Sequence, residues 1–243
     1  MRTIFLLVFL MGILAPAHAQ SPSGWSWGPG IKGEGAVLTK TLKLESFSSL
    51  NLSISGNVYL RQGEQQKVEI EGQENIIENL STTVENGTWK IHFKQNVRSY
   101  EKLNLYITLP DLKQVLVSGS GDVVGKTRFE GLKEPRFAIS GSGSIALEVQ
   151  AEEVEAQISG SGDMDLRGSA GELEVAISGS GDVSAEALKA KTVEVSISGS
   201  GDAAVSATDN LKVLVSGSGD VVYTGKPKTQ IRISGSGEVT AKE

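Results

Sequence analysis

The chain has 243 residues, a formal net charge of −6 at pH 7 and no cysteine. The lack of cysteine excludes a disulfide framework and lipid attachment through an N-terminal cysteine. The acidic balance, without a cluster of lysine and arginine, argues against nucleic acid or an anionic membrane as partner. Aromatic residues make up only 5% of the chain, so a core built mainly of aromatic side chains is not expected.

Residues 1–19 have the features of a secretory signal peptide. Arg2 gives a positive start, Ile4 to Leu14 form an apolar run, and Ala17-His18-Ala19 is typical of a cleavage site. The run is shorter than the roughly 20 residues that span a bilayer, and no later stretch approaches that length. We therefore expect an exported chain without a transmembrane segment after cleavage, located in the periplasm, at the outer-membrane surface or outside the cell.

Two further segments precede the regular part of the chain. Residues 20–41 begin with a stretch rich in glycine, proline and serine and are expected to form a flexible leader. Residues 42–112 are expected to be an N-terminal β segment, because short stretches alternate apolar and polar side chains without a fixed period. Within them, Asn86-Gly87 predicts a hairpin turn, and residues 74–80 predict one or two helical turns.

A degenerate copy of a later motif lies early in this β segment. Residues 54–58 read Ile-Ser-Gly-Asn-Val, close to the Ile-Ser-Gly-Ser-Gly-Asp-Val of residues 177–183. We expect the first coil of a repeating structure here, with the following residues as an insertion that covers one end. Such a cover is needed because the open end of a stacked β structure exposes unpaired backbone groups.

Residues 113–243 repeat one motif at a nearly constant spacing. Ser-Gly-Ser-Gly begins at Ser118, Ser140, Ser159, Ser178, Ser198, Ser216 and Ser234, at intervals of 18 to 22 residues. Before each motif, β-branched and other apolar residues alternate with polar ones, as in Val193, Val195 and Ile197, which is typical of half-buried strands. A fixed period near 19 residues indicates a solenoid. The sequence therefore predicts an all-β fold, a parallel β-helix whose coils stack about 4.8 Å apart.

The glycine pairs are predicted to form the corners of these coils, where glycine permits positive φ and close backbone approach. The predicted corner residues are Gly119, Gly121, Gly141, Gly143, Gly160, Gly162, Gly179, Gly181, Gly199, Gly201, Gly217, Gly219, Gly235 and Gly237. A phosphate-binding loop is the rival interpretation. It requires a helix after the glycines, whereas a strand pattern follows each motif, and the motif contains no lysine.

An acidic residue follows most of the corners at the same phase. Two interpretations are open for this column: side chains that cap backbone N–H groups in the turns, or carboxylates about 4.8 Å apart that hold calcium. The candidate calcium column is Asp163, Asp182, Asp202, Asp220 and Glu238. The capping interpretation is preferred, because each coil supplies only one acidic residue at this phase. No catalytic residue and no cofactor other than calcium is predicted.

Three sequence stretches together resemble a known family. They are ESFSSLNLSISGNVYLRQGEQQKVEIEGQENI, LNLYITLPDLKQVLVSGSGDV and the serial ISGSGDV units. They resemble the bacterial putative auto-transporter adhesin head GIN domain family over roughly residues 42 to 240. The resemblance implies a right-handed β-helix in an exported envelope protein and brings no catalytic residues with it.

Three functions remain open from the sequence. The preferred one is a non-enzymatic envelope protein, adhesin-like or structural, with a cell-surface glycan or an envelope protein as candidate partner. A calcium-dependent binding module is the alternative, and a polysaccharide lyase or hydrolase using carboxylates such as Glu152, Glu153, Asp163 and Asp165 is less favoured. End-to-end self-association is also expected, because the last repeat has almost no cap after it.

Overall fold

The computed structural model describes residues 30–242, so the predicted signal peptide and the first part of the predicted leader lie outside the described residues. The N-terminal elements are β1 (Ile31–Lys32), β2 (Val37–Leu42), β3 (Ser49–Leu52), β4 (Asn57–Gln62), β5 (Lys67–Gln73), α1 (Glu74–Glu78), β6 (Val84–Glu85), β7 (Thr88–Ile91), β8 (Val97–Ser99) and β9 (Leu103–Leu109). The elements of the repeats are β10 (Gln114–Val117), β11 (Asp122–Gly125), β12 (Phe129–Leu132), β13 (Arg136–Ile139), β14 (Ser144–Gly160), β15 (Asp163–Gly179), β16 (Asp182–Gly199), β17 (Ala203–Gly217), β18 (Val221–Thr224), β19 (Lys228–Gly235) and β20 (Val239–Ala241).

The repeats stack as a parallel β-solenoid of about seven turns, which confirms the predicted fold class. Strand segments before each corner form one parallel row, and segments after it form a second. The register keeps equivalent residues of successive repeats side by side, as in Ile158 beside Ile177 and Ile177 beside Ile197. Because backbone hydrogen bonds run between coils, β14 to β17 continue through the bends between the sides of a coil.

The core consists of columns of apolar side chains that run along the solenoid. One column before the corner is Leu52, Val117, Ile139, Ile158, Ile177, Ile197 and Val215, all nearly or completely buried. In a neighbouring column, the large Phe137 stacks on the small Ala156, so the two together fill the space of two medium side chains. Alternation along each strand therefore buries aliphatic side chains, and the repeats require few aromatic ones.

The N-terminal end is built in a different order from the sequence. β7 pairs with β3 and β9 pairs with β4, both in parallel, so β7 and β9 form a coil outside the one that contains β3 and β4. β10 and β11 then pair on the other side of β3 and β4. The expected insertion thus supplies a coil of its own. β6 continues this end antiparallel to β7. β5 pairs antiparallel with β9, and β2 pairs antiparallel with β5.

Antiparallel strands and α1 close the core at this end. Trp89 and Phe47 pack with their ring centroids 5.6 Å apart, and the Trp89 Nε1–H donates a 3.0 Å hydrogen bond to the Ser81 carbonyl. Ile76 and Ile77 of α1 are buried against the same core. The predicted turn at Asn86-Gly87 joins β6 to β7, with positive φ at both residues.

One boundary differs from the sequence prediction. Residues 37–42, expected to belong to the flexible leader, form β2 and pair along their whole length with β5. The sequence prediction missed this strand because it follows a glycine-rich stretch. Its apolar residues, such as Leu38 and Leu42, do not belong to a repeated pattern. The added strand covers an edge of β5 that would otherwise expose its backbone groups.

The core columns predict a test by paired substitution in one strand. Leu173 is fully buried between coils, whereas the adjacent Glu174 is exposed. We expect Leu173→Ala to lower the free energy of unfolding by about 2–5 kcal/mol, because it leaves a cavity that the stacked coils cannot collapse to fill. Urea denaturation measures this loss. Glu174→Ala is the control and should leave the midpoint nearly unchanged; equal losses would contradict the inward direction of Leu173.

Candidate functional site

The first glycine of the corner combines an unusual backbone conformation with a close contact. In the corners from Gly141 onward, φ of this glycine lies between +133° and +156°. Side chains rarely tolerate this region, so glycine is required there. At Gly179, an added Cβ would also overlap the carbonyl oxygen of Gly160 in the preceding coil.

The second glycine of the corner is required by close approach alone. A Cβ on Gly181 would overlap the carbonyl oxygen of Gly162 and come within 2.7 Å of Ile158 Cγ2. The same obstruction, by the carbonyl of the preceding coil, recurs at Gly201 and Gly219. The glycines thus allow the backbones of successive corners to stack in direct contact. This structural role requires no ligand.

Backbone hydrogen bonds continue through the corners. The N–H of the serine between the two glycines donates to the carbonyl of the first glycine in the preceding coil. These bonds are 2.9 Å long from Ser180 to Gly160 and 2.8 Å from Ser218 to Gly199. The corner is therefore part of the sheet ladder, and its serine side chains remain available at the surface.

The acidic column caps backbone groups between coils in the C-terminal half of the solenoid. Asp182 Oδ1 accepts the N–H of Asp202 at 2.9 Å, and Asp202 Oδ1 accepts that of Asp220 at 2.7 Å. Asp220 Oδ1 accepts the N–H of Glu238 at 2.7 Å. Each carboxylate thus serves the coil that follows it, an arrangement equivalent to a row of turn caps.

The same column is held differently in the N-terminal half. The N–H groups of Asp163 and Asp182 donate to the carbonyls of Gly143 and Gly162, both at 3.2 Å. Where Ser144 interrupts the acidic series, its hydroxyl donates to Asp122 Oδ1 at 2.6 Å. Residues of the candidate calcium column therefore follow one another along the solenoid but have two different hydrogen-bond patterns.

This geometry favours capping over calcium binding. The Oδ1 atoms of three members of the column already accept backbone hydrogen bonds. Calcium takes six to eight oxygen ligands. Among residues 30–242, no group of three or more His, Cys, Asp or Glu side chains is arranged to hold a metal ion.

A shallow groove of about 440 Å³ crosses the face that precedes the corners. Its floor is a row of short or flexible side chains from five successive coils, namely Leu116, Ala138, Gln157, Ala176 and Ser196. Beside it runs the serine column, which includes Ser159 and Ser178. Among the residues that line the groove, Arg136 alone is charged. The groove is thus a mostly neutral, hydroxyl-bearing surface with a repeat of one coil.

The carboxylates considered for sugar cleavage lie on different sides of the coil. Glu153 stacks beside Glu172 before the corner, whereas Asp163 and Asp165 follow the corner. Burial raises the pKa of the Glu153 carboxyl, and the charge of Glu172 raises it further. Asp165 is instead paired with Arg167, whose Nη2 lies 2.7 Å from its Oδ2.

A further surface cluster was missed by the sequence analysis. Tyr59 and Tyr106 stack with ring centroids 5.2 Å apart, and the Lys126 ammonium lies 4.3 Å from the Tyr59 ring centroid. The Tyr106 hydroxyl donates to Glu71, and hydrogen bonding from Lys102 lowers the pKa of that carboxyl. Each tyrosine lies at an outward position of its strand, but their contact follows from the pairing of β4 with β9.

The one histidine in the described part of the chain does not belong to such a cluster. His92 is exposed, and its Nδ1 lies 3.2 Å from the carbonyl oxygen of Lys90 in the same strand region. Its exposure agrees with the alternation of residues 91–93, which places Ile91 in the core.

Comparison with known families identifies this architecture. The model of the family described as "Putative auto-transporter adhesin, head GIN domain" matches residues 46–227. The chain belongs to this family. Membership confirms the resemblance seen in the sequence and indicates a cell-surface or envelope protein of adhesin-like β-helical type.

Solved structures share the fold over most of the chain. A crystal structure of "a putative adhesin" from Bacteroides fragilis has a TM-score of 0.81 at 26% identity and covers 88% of this chain and 100% of its own. A "putative lipid binding protein" from Parabacteroides distasonis has a TM-score of 0.70 at 26% identity, with the same coverage. A "putative adhesin" from the same species has a TM-score of 0.71 at 24% identity and likewise covers 88% and 100% of the two chains. No curated protein matches the chain.

The corner geometry predicts the effect of adding a single methyl group. Gly179→Ala should lower the free energy of unfolding by more than about 3 kcal/mol, because it combines a disfavoured φ with overlap of a backbone carbonyl. Gly131→Ala is the matched control. Gly131 has φ +71° but no atom within 4 Å of an added Cβ, so it should lose only about 1 kcal/mol. Urea denaturation of both variants would refute close stacking if the losses were equal.

The acidic column predicts a graded effect at Asp202. Asp202→Ala removes the acceptor of the Asp220 N–H and should cost about 1 kcal/mol, whereas Asp202→Asn keeps an oxygen acceptor and should cost less. Asp163→Ala is a second control, because the corresponding N–H of Asp182 donates to Gly162 instead. Thermal denaturation ranks the three variants. An Asp202→Ala protein as stable as the Asp202→Asn protein would contradict the capping role.

Proposed function

We propose that this chain is an exported, non-enzymatic, adhesin-like protein whose solenoid binds a cell-surface glycan along the groove that precedes the corners. The observation that carries the proposal is the column of serine hydroxyls from four stacked coils, Ser140, Ser159, Ser178 and Ser198, along a groove in which Arg136 is the one charged lining residue. Adhesin family membership supports a binding role at the cell surface. The signal peptide features of residues 1–19 support export.

The chemistry of the groove supports a neutral, extended and hydroxylated ligand. Ser159, Ser178 and Ser198 present hydroxyl groups that both donate and accept hydrogen bonds. Equivalent groups recur at about 4.8 Å, so a polymer with several sugar units can use the same contact more than once. The solenoid supplies this surface with little conformational freedom, which lowers the entropy lost on binding.

The placement of charged groups supports a non-enzymatic role. Hydrolysis of a glycosidic bond requires two carboxyl groups on opposite sides of that bond, about 5 to 9.5 Å apart. Asp165 is paired with Arg167, and Glu153 lies on the other side of the corner. The carboxylates of Glu153 and Asp165 thus lie in separate columns on different sides of the coil.

A binding screen tests the proposal. The mature protein should bind members of a panel of neutral surface polysaccharides, and Ala176→Arg, which fills the groove floor, should weaken that binding at least about tenfold. Ser184→Arg is the matched control, since Ser184 is exposed on the face after the corner, and it should leave affinity unchanged. Isothermal titration calorimetry measures both variants.

Three results would contradict the proposal. Absence of binding to every polysaccharide and envelope preparation would remove the adhesin role. Binding that requires added calcium and is lost in Asp202→Asn would instead favour the calcium-dependent alternative. Release of reducing ends or unsaturated products from the polysaccharides would show an enzyme.

A further inference from the structure

Within residues 30–242, no strand or helix covers the C-terminal end of the solenoid. Every residue of β19 is exposed, whereas in β17 the equivalent residues from Leu211 to Val215 alternate between buried and partly buried. Ile231 and Ile233 continue the core columns of Val213 and Val215, yet they are 41% and 43% exposed. In the described part of the chain, β19 pairs only with β17, so the backbone groups along its other edge have no strand partner.

The opposite end of the molecule cannot receive this edge in the same way. There the core is covered by β5, which runs antiparallel to β9, by β2, which pairs antiparallel with β5, and by α1. Lys40 of β2 pairs with Glu74 and Glu78 of α1, at 2.5 Å and 3.1 Å, and adds charge to that cover. Stacking of one molecule's C-terminal end on another's N-terminal end is therefore disfavoured, because charged side chains on an edge discourage strand pairing.

We propose that two copies of this chain associate through their C-terminal ends, with β19 of one copy antiparallel to β19 of the other. A two-fold axis perpendicular to β19 makes the paired strands antiparallel. Both copies then contribute the same surface to the interface. The contact hydrogen-bonds the open edge and removes two isoleucine side chains of each copy from water. Closed two-fold symmetry stops the association at two copies.

Charge and side-chain direction favour a register centred on Ile231. In this register, Ile231 lies opposite the partner's Ile231, and Ile233 lies opposite the partner's Thr229, so inward positions meet inward positions. The outward Arg232 lies opposite the partner's Gln230, and Lys228 lies opposite the partner's Ser234. No two like charges are directly opposite. Shifting the centre by one residue would place Arg232 opposite the partner's Arg232, which is destabilising.

Light scattering of the mature protein during size exclusion, over a wide concentration range, tests the proposal. The mass should approach that of two copies as concentration rises. Ile231→Lys places two lysines opposite each other and should weaken dimerisation at least about a hundredfold. Val222→Lys is the matched control, because Val222 is a partly exposed outward residue on the side of the solenoid, and it should dimerise normally.

A cysteine variant tests the register independently of the dimer's strength. The chain contains no cysteine, so Ile231→Cys introduces a single thiol. Opposed residues in antiparallel strands have Cα atoms about 4.5–5.5 Å apart, which suits a disulfide. Mild oxidation should therefore give a cross-linked dimer with Ile231→Cys and not with Ser184→Cys, which lies on the side.

Each remaining outcome overturns the proposal. A monomer at every concentration would show that the end is covered in another way or stays in water. Masses that grow beyond two copies would show an open head-to-tail arrangement. A dimer that resists Ile231→Lys, or that cross-links equally through Ser184→Cys, would place the contact elsewhere. Glycan binding is measured separately, so failure of the dimer leaves the proposed function untouched.

Discussion

The close approach of successive backbones at the corners is the constraint on which the rest of the structure depends. A Cβ on Gly181 or Gly201 would overlap a carbonyl of the coil before it. With glycine there, the serine N–H between the two glycines reaches the preceding coil and keeps the ladder continuous. Register is then transmitted from coil to coil, and each apolar column falls on the core side. The groove and the acidic column are formed by outward side chains of the same stacked coils.

The repeating part of this fold was predictable because one physical requirement acts on every coil. Alternation fixed which residues are buried, as at Val193, Val195 and Ile197, and the glycine spacing indicated the corners. The N-terminal part was less predictable, since strands 47 residues apart in sequence, such as those carrying Asn57 and Asn104, are neighbours there. Nothing in a single sequence states that a later coil lies outside an earlier one.

The candidate surfaces were predictable in composition but not in arrangement. The acidic column was visible in the sequence, yet two hydrogen-bond patterns occur within it: the backbone N–H donates to a glycine carbonyl in one and to an aspartate side chain in the other. Coil length changes along the solenoid as well, from 22 residues after Ser118 to 18 after Ser198. The groove could not be predicted without knowing which outward side chains of five successive coils lie side by side. The Tyr59–Tyr106 stack required the unusual order of the N-terminal coils.

That order has a consequence for how the chain acquires its structure. β3 and β4 are synthesised early but lie between two coils that come later, so they stay incomplete until residues 88–109 have joined them. Loop closure over this distance carries an entropic cost before contacts compensate it, so we expect the N-terminal part to form more slowly than a single repeat adds. Each later repeat then adds to a finished template by local contacts. Changes in the number of repeats during evolution would therefore alter the length of the solenoid without altering the closure of its N-terminal coils.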